Sequence, residues 1–186
     1  MSKEDNRTEI FIKKENSIKK WYVLYVKSRH ERVANEALIK ANFKTYFPVK
    51  KELKTWSQRK KWVEEPIFKS YIFIKIYRHE LYHALKVDNV VTYVRFAGEP
   101  AVVREEHLLL VKKMLINQTS FEVQKGIIAI GKEITIKTGP FKGYSGKITE
   151  LRGTKKFVVE LQSTGSYLEI SLKDVIPPAE INAQSL

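Results

Sequence analysis

Cysteine is absent from all 186 residues. That excludes disulfide frameworks, thiolate zinc sites, iron–sulfur clusters and cysteine nucleophiles. Long apolar runs are missing too, and none approaches the ~18 residues of a membrane span. The first twenty residues, MSKEDNRTEIFIKKENSIKK, are charged throughout and hold no signal-peptide core. The expected location is the cytoplasm, with no membrane partner. Acidic residues are also in short supply, 21 against 34 Lys and Arg, for a formal net charge of +13. Such a chain suits polyanions or acidic protein surfaces. The rest is ordinary for a globular protein, with 43% hydrophobic and 30% charged residues. The length suits one domain or two small ones.

Most of the excess positive charge lies between residues 21 and 125, and segment 50–61 (KKELKTWSQRKK) holds six cations and one acid. Residues 1–20 read as a flexible arm. Residues 21–27 (WYVLYVK) read as a strand because β-branched and aromatic residues dominate. Residues 31–41 place Val33, Ala37, Leu38 and Ala41 at helical spacing, with Arg32, Glu36 and Lys40 on the outer face. Residues 44–49 suggest an edge strand, since Pro48 cannot donate to a ladder. The basic segment 50–61 suggests a hairpin or loop, and residues 66–76 contain the clearest strand. A short helix near 80–86, a strand over 90–96, a turn at Gly98-Glu99-Pro100 and a helix over 105–116 follow. In that last helix Leu108, Val111 and Leu115 form one stripe. Asn117–Lys125 is polar and reads as a linker.

From Gly126 the texture changes. Five short β-type runs follow at 134–137, 146–151, 156–161, 167–170 and near 174–176, which suggests a small closed β-barrel. The expected fold is α+β: a βαββαβ domain with an antiparallel sheet, then an SH3-like barrel.

Strand faces carry the first functional hint. Side chains alternate across a strand, so Ile72, Ile74 and Ile76 oppose Tyr71 and Phe73, while Tyr22, Leu24 and Val26 oppose Trp21, Val23 and Tyr25. A βαββαβ chain stacks both helices on one sheet face. With the aliphatic set facing the helices, Tyr25, Tyr71 and Phe73 are left on the open face as an apolar patch, unless another segment covers them. Two binding functions fit. One is an RNA-recognition module with aromatic residues that stack on bases. Lys69–Ile76 matches its K/R-G-F/Y-G/A-F-V-x-F/Y pattern only in part: both small-residue positions fail and Ile76 replaces the final aromatic. The other is a groove that accepts apolar helices of a protein partner.

Catalysis has little support, and no cofactor is implied. His79 and His83 have helical i, i+4 spacing, yet no third ligand stands out. Glu64-Glu65 and Glu105-Glu106 are adjacent pairs that point different ways, which suits turns and helix starts. Gly139–Gly146 lacks the Gly-Lys-Ser/Thr ending of a phosphate loop.

The most specific string is GKEITIKTGPFKGYSGKI, residues 131–148, which resembles the KOW motif. Ile134 and Ile136 would point inward, and Gly139-Pro140 with Gly143 would make a tight turn that needs positive φ or close approach. A KOW domain after a βαββαβ domain resembles the NusG family of transcription elongation factors. Trp21–Tyr25 with the following helix is similar to that family's opening, Pro66–Phe73 to its FPGY strand, and Val94–Gly98 with Pro100–Val103 to the segment before its last helix. In detail the chain resembles the operon-specialised RfaH and UpxY antiterminators. Lys69-Ser70 stands where the general factor has Pro-Gly.

The resemblance implies a domain plan: an arm over 1–20, a polymerase-binding domain over 21–117, a linker over 118–125, the KOW barrel over 126–178 and a tail over 179–186. It implies a monomer that binds the clamp helices of RNA polymerase through an apolar depression and suppresses pausing. Carried over residue by residue, the depression comprises Tyr25, Phe68, Tyr71, Phe73, Phe96 and Leu108. Phe68 is off the strand parity, so its place depends on a bend near Lys69. RfaH-like members also touch the exposed non-template DNA strand, and the matching positions are Lys27 and Lys40, with Arg29 and His30 beside them. The KOW domain would recruit Rho or a small-subunit ribosomal protein, with Phe141 at the turn tip as the contact. Lys50, Lys51, Arg59, Lys60 and Lys61, with Trp56 and Trp62, form a second candidate for single strands, because bases stack on aromatic rings among cations.

Overall fold

The β-branched and aromatic run beginning at Lys20 is the hub of the first sheet. The computed structural model describes residues 17–56, 59–117, 121–125, 132–135, 142–151, 154–161 and 166–171. The chain divides into two compact units, Met1–Arg104 and Glu105–Leu186. The sequence ends the first domain at residue 117 and follows it with a linker over 118–125.

In the first unit β1 (Lys20–Val26) precedes α1 (Glu31–Lys40), β2 (Lys44–Tyr46), β3 (Val49–Trp56), β4 (Arg59–Pro66) and β5 (Tyr71–Ile76). One 3-10 turn (Arg78–Glu80) runs into α2 (Leu81–Ala84), then β6 (Val90–Tyr93), β7 (Arg95–Phe96), β8 (Glu99–Pro100) and β9 (Val102–Val103). The main sheet has the order β2-β5-β1-β6, with β9 also on β1, and every pairing is antiparallel. This is the expected βαββαβ plan, with the β3-β4 hairpin inserted as a separate two-stranded sheet.

The aliphatic face packs as the alternation requires. Tyr22, Leu24, Val26, Ile72, Ile74 and Ile76 form one buried cluster with Ala34 and Leu38 of α1 and Ala84 of α2. Each Val, Leu or Ile among them contributes roughly 1.5–3 kcal/mol on burial. The α1 stripe keeps Leu38 of the expected set and differs in the rest. Glu31, Ala34 and Leu38 are buried, whereas Val33 is 53% exposed. Positions 31, 34 and 38 share a helix face as well as 33, 37 and 41 do. Only docking on the sheet selects between them. The helix stops where Asn42 takes φ 63 and Phe43 N–H donates to the Leu38 carbonyl, a left-handed C-terminal cap that Asn tolerates.

The expected single strand over 90–96 is broken. Val94 N–H donates to Val23 O and its own carbonyl accepts from Ala101 N–H. Beyond it β7 and β8 form a tight hairpin on Ala97 (φ 50) and Gly98 (φ 83). Positive φ at both central residues matches the twist of short hairpins.

The second unit holds α3 (Glu105–Ile116), β10 (Phe121–Lys125), β11 (Lys132–Thr135), β12 (Ser145–Leu151), β13 (Thr154–Leu161) and β14 (Ser166–Ser171). The strands make one antiparallel sheet in the order β10-β14-β13-β12-β11. Four of the five expected strands are present, and the run near 174–176 lies outside the described residues. Phe121–Lys125, expected as linker, is paired with β14 over five residues. Its polar composition misled the reading, because backbone pairing needs no apolar side chain on the solvent face. Val158, Val159, Leu168 and Ile170 are buried in this unit. No helix among the described residues is long and apolar enough to cross a membrane.

Candidate functional site

On the sheet face opposite the aliphatic cluster, an aromatic row runs across β1, β5 and β2. Tyr25 pairs with Tyr71 in the ladder, and their rings meet edge to face at 6.0 Å. Phe73, two residues along, meets Phe68 edge to face at 5.1 Å and Tyr46 at 6.3 Å. Phe68 reaches this row through a bend: Tyr71 N–H donates to Phe68 O, and Ser70 takes φ 64. The expected open face is therefore corrected. Phe73 is 1% exposed and Phe68 5%, because the rings of Phe68 and Tyr46 pack against Phe73. The row reaches solvent at its Tyr25 end, where Tyr25 is 41% exposed and Tyr71 half-buried.

Two other candidates lie on other elements. Phe96 is exposed, but Val94 lies beside Val23, so the chain has already moved away from Tyr25 before reaching it. Leu108 is buried in α3 of the second unit.

The loops at the Tyr25 end form a connected floor. Val26 N–H donates to Ser70 O, Lys27 N–H to Asn89 O, and His30 N–H to Lys27 O. Arg29, Ser70 and Asn89 all have φ between 64 and 66, so three loops turn sharply at one place. The buried Glu31 carboxylate accepts from Ser70 N–H at 2.9 Å. That bond ties α1 to the bend before Tyr71 and offsets part of the cost of a left-handed serine, about 1–2 kcal/mol. Glu31 was not legible as a site residue, since an acid in a first helical turn is ordinary.

Lys27, Arg29 and His30 are exposed on this floor, as is Lys69. His30 Nδ1 lies 3.0 Å from Ser28 O. Lys40 does not join them. It ends α1, nine residues and about 13.5 Å from the helix start.

Charge on the β3-β4 hairpin is sorted by its ion pairs. Arg32 of α1 binds Glu64 at 2.7 Å, and hydrogen bonding to Arg32 holds the Glu64 carboxyl below the usual carboxylate range. Lys54 bonds Glu65, which lowers the Glu65 carboxyl and raises the Lys54 ammonium. Lys50 pairs with Glu52. The two histidines considered as ligands lie against tyrosines: His79 stacks on Tyr77 at 5.3 Å, and His83 is tilted against Tyr82.

In the second unit, the β11-β12 hairpin carries the described part of the KOW-like string. Thr135 and Ser145 hydroxyls lie 2.7 Å apart at its mouth, and Gly143 has φ 90, the conformation expected of it. Phe141 lies outside the described residues.

Comparison with known proteins gives two family matches. The profile described as "Transcription termination factor nusG" matches residues 19–115, and that of "Transcription elongation factor SPT5, fifth KOW domain" matches residues 129–173. A solved structure described as "Domain interaction in Thermotoga maritima NusG" is 19% identical, with a TM-score of 0.44 over 84% of this chain and 95% of that one.

Proposed function

Because this chain belongs to the NusG family of transcription factors, we propose that it binds RNA polymerase through the solvent end of the aromatic row, at Tyr25 and Tyr71. The carrying observation is that pair: edge-to-face rings at 6.0 Å, with Tyr25 41% exposed, on a floor fixed by three left-handed turns. A preorganised aromatic anchor of this kind suits a protein interface, where Tyr is enriched among the residues that dominate affinity. The partner surface is the clamp helices. Phe73 and Phe68 act beneath as the packing that holds Tyr71. The protein acts as a monomeric elongation and antitermination factor in the cytoplasm, at specific long operons. Lys27, Arg29 and His30 touch phosphates of the non-template DNA strand beside the same surface. The KOW domain recruits Rho or a small-subunit ribosomal protein.

Tyr25→Ala with Tyr71→Ala tests the reading. Loss of two interface aromatics should weaken co-purification with polymerase by about tenfold or more, at an unchanged melting temperature. Wild-type co-purification of a folded double variant would overturn it.

A further inference from the structure

Alternate residues of a strand share a face, and so do directly paired residues of neighbouring strands. The ladder register therefore sorts the β3-β4 hairpin into two faces. One carries Lys51, Leu53 and Thr55 opposite Glu64, Trp62 and Lys60, and all six are exposed. The other carries Lys50, Glu52 and Lys54 opposite Glu65, Val63 and Lys61, with Arg59 next toward the tip. On that second face Glu52, Lys54, Val63 and Glu65 are half-buried, and the ion pairs Lys50–Glu52 and Lys54–Glu65 lie there. The usual sorting is inverted. Paired charges are half-buried, while the directly paired Leu53 and Trp62 are 47% and 66% exposed.

The apolar pair has a charged frame. Lys60 follows it toward the tip and Lys51 precedes it toward the base, four ladder positions apart, about 13 Å. Glu64, opposite Lys51, is bound by Arg32 of α1 at 2.7 Å, so the frame presents positive charge. A second copy of the chain is a poor occupant, since packing this face on itself would crowd the lysines of both copies. A nucleic-acid strand is a poor occupant too. Leu53 offers no ring for a base, and apolar surface keeps the two lysines apart, whereas a single strand wants a groove that tracks its backbone. The hairpin's remaining cations, Lys50, Lys54, Arg59 and Lys61, are on the opposite face.

We infer that the Leu53–Trp62 face docks an acidic amphipathic helix of a partner protein, with acids at i and i+7 flanking aliphatic residues at i+3 and i+4. Those four positions share one helix face. The acids are about two turns apart, ~11 Å, within side-chain reach of Lys51 and Lys60. The aliphatic residues cover Trp62 and Leu53, and the flanking ion pairs rim a centre from which water is excluded. The hairpin pairs with no other strand and is marginal as a lone ladder, so such a helix buries apolar surface that the hairpin cannot bury by itself. The inference goes beyond the polymerase contact at Tyr25 and Tyr71 and does not depend on it.

Fluorescence anisotropy with the full-length protein tests it, in the absence of polymerase. The probe is a labelled, Ala-rich helical peptide of about twenty residues that carries Glu-x-x-Leu-Leu-x-x-Glu once. Trp62→Ala should weaken binding by about tenfold or more. Trp62→Thr, which keeps a good strand former in the ladder, should lose about as much, and Trp62→Phe should restore most of it. Lys51→Ala with Lys60→Ala should weaken binding several-fold at low salt and less at high salt. Arg59→Ala with Lys61→Ala removes equal charge from the opposite face and should leave binding near wild type. Moving the two leucines to i+1 and i+5 should abolish binding. Wild-type affinity in Trp62→Thr, equal losses in the two double variants, or full binding of the shifted peptide would each overturn the proposal. Oligo-dT that displaces the peptide from wild type but binds Trp62→Thr poorly would assign the ring to nucleic acid instead. Because polymerase is absent, any of these failures leaves the Tyr25–Tyr71 reading untouched.

Discussion

The main sheet and the β3-β4 hairpin are both antiparallel ladders in one unit, and they are built on opposite economies. In the main sheet, β1 and β5 carry Val23, Leu24, Ile72 and Ile74 at 0% exposure, and β1 has neighbours on both edges. In the hairpin, eight-residue strands pair only with each other, and the apolar pair Leu53–Trp62 stays in solvent. Backbone pairing alone therefore does not distinguish core from appendage. Burial does.

The largest expected effect tests that contrast directly. Ile74→Ala should cost ~2–5 kcal/mol in chemical denaturation, as large-to-small core changes do. Leu53→Ala should cost less than ~1 kcal/mol, the scale of one cross-strand pair. Comparable losses would mean that the hairpin belongs to the cooperative core.

Next comes the tie between α1 and the bend before Tyr71. Glu31→Ala leaves the buried Ser70 N–H without its acceptor, a loss of ~1–3 kcal/mol, and should weaken polymerase binding as well as stability. Glu31→Gln keeps an acceptor and should lose less on both counts. Equal losses in the two variants would show that the charge, not the hydrogen bond, holds the bend.

Burial also sets an alkaline limit on the sheet side of the comparison. Desolvation pushes the Tyr46 hydroxyl from 10.0 up to about 12 and raises Tyr93 as well. A folded-state pKa raised above the unfolded one gives stability that is fully present below pH 10 and lost as pH rises toward 12. Phenolate absorbance should show these two tyrosines ionising only as the first unit unfolds. Their titration near pH 10 in the folded protein would contradict the burial.

The smallest effect lies at the hairpin base. Arg32 lowers the Glu64 carboxyl from 4.5, so the pair contributes above that pH, and the contribution fades as pH falls through the lowered value. Glu64→Gln should be slightly less stable than wild type at pH 7, and the difference should shrink as pH falls below 4.5. A difference that does not shrink would assign the effect to packing.

Much of this was legible beforehand because short-range rules act within a strand or a helix. Period-two alternation marked β1 and β5, and the helix over 105–116 was bounded correctly, with Leu108 and Val111 buried on its stripe. Gly143 at φ 90 follows from the turn its neighbours demand. The site was only half legible. Tyr25 and Tyr71 were found from parity, but the same parity left Phe73 open, since it does not register the rings of Phe68 and Tyr46 arriving from elsewhere in the chain.

The sequence by itself determined the element types, the aliphatic face of the main sheet and the family to which residues 19–115 belong. These rest on side-chain periodicity and local turn chemistry, which a linear string carries in full. The tertiary structure alone decided that α1 buries Glu31 rather than Val33, that Lys40 stands apart from Lys27, and that the aromatic row reaches solvent at Tyr25. Each depends on which of several equivalent faces meets the sheet, and docking settles that choice by contacts between residues far apart in the chain.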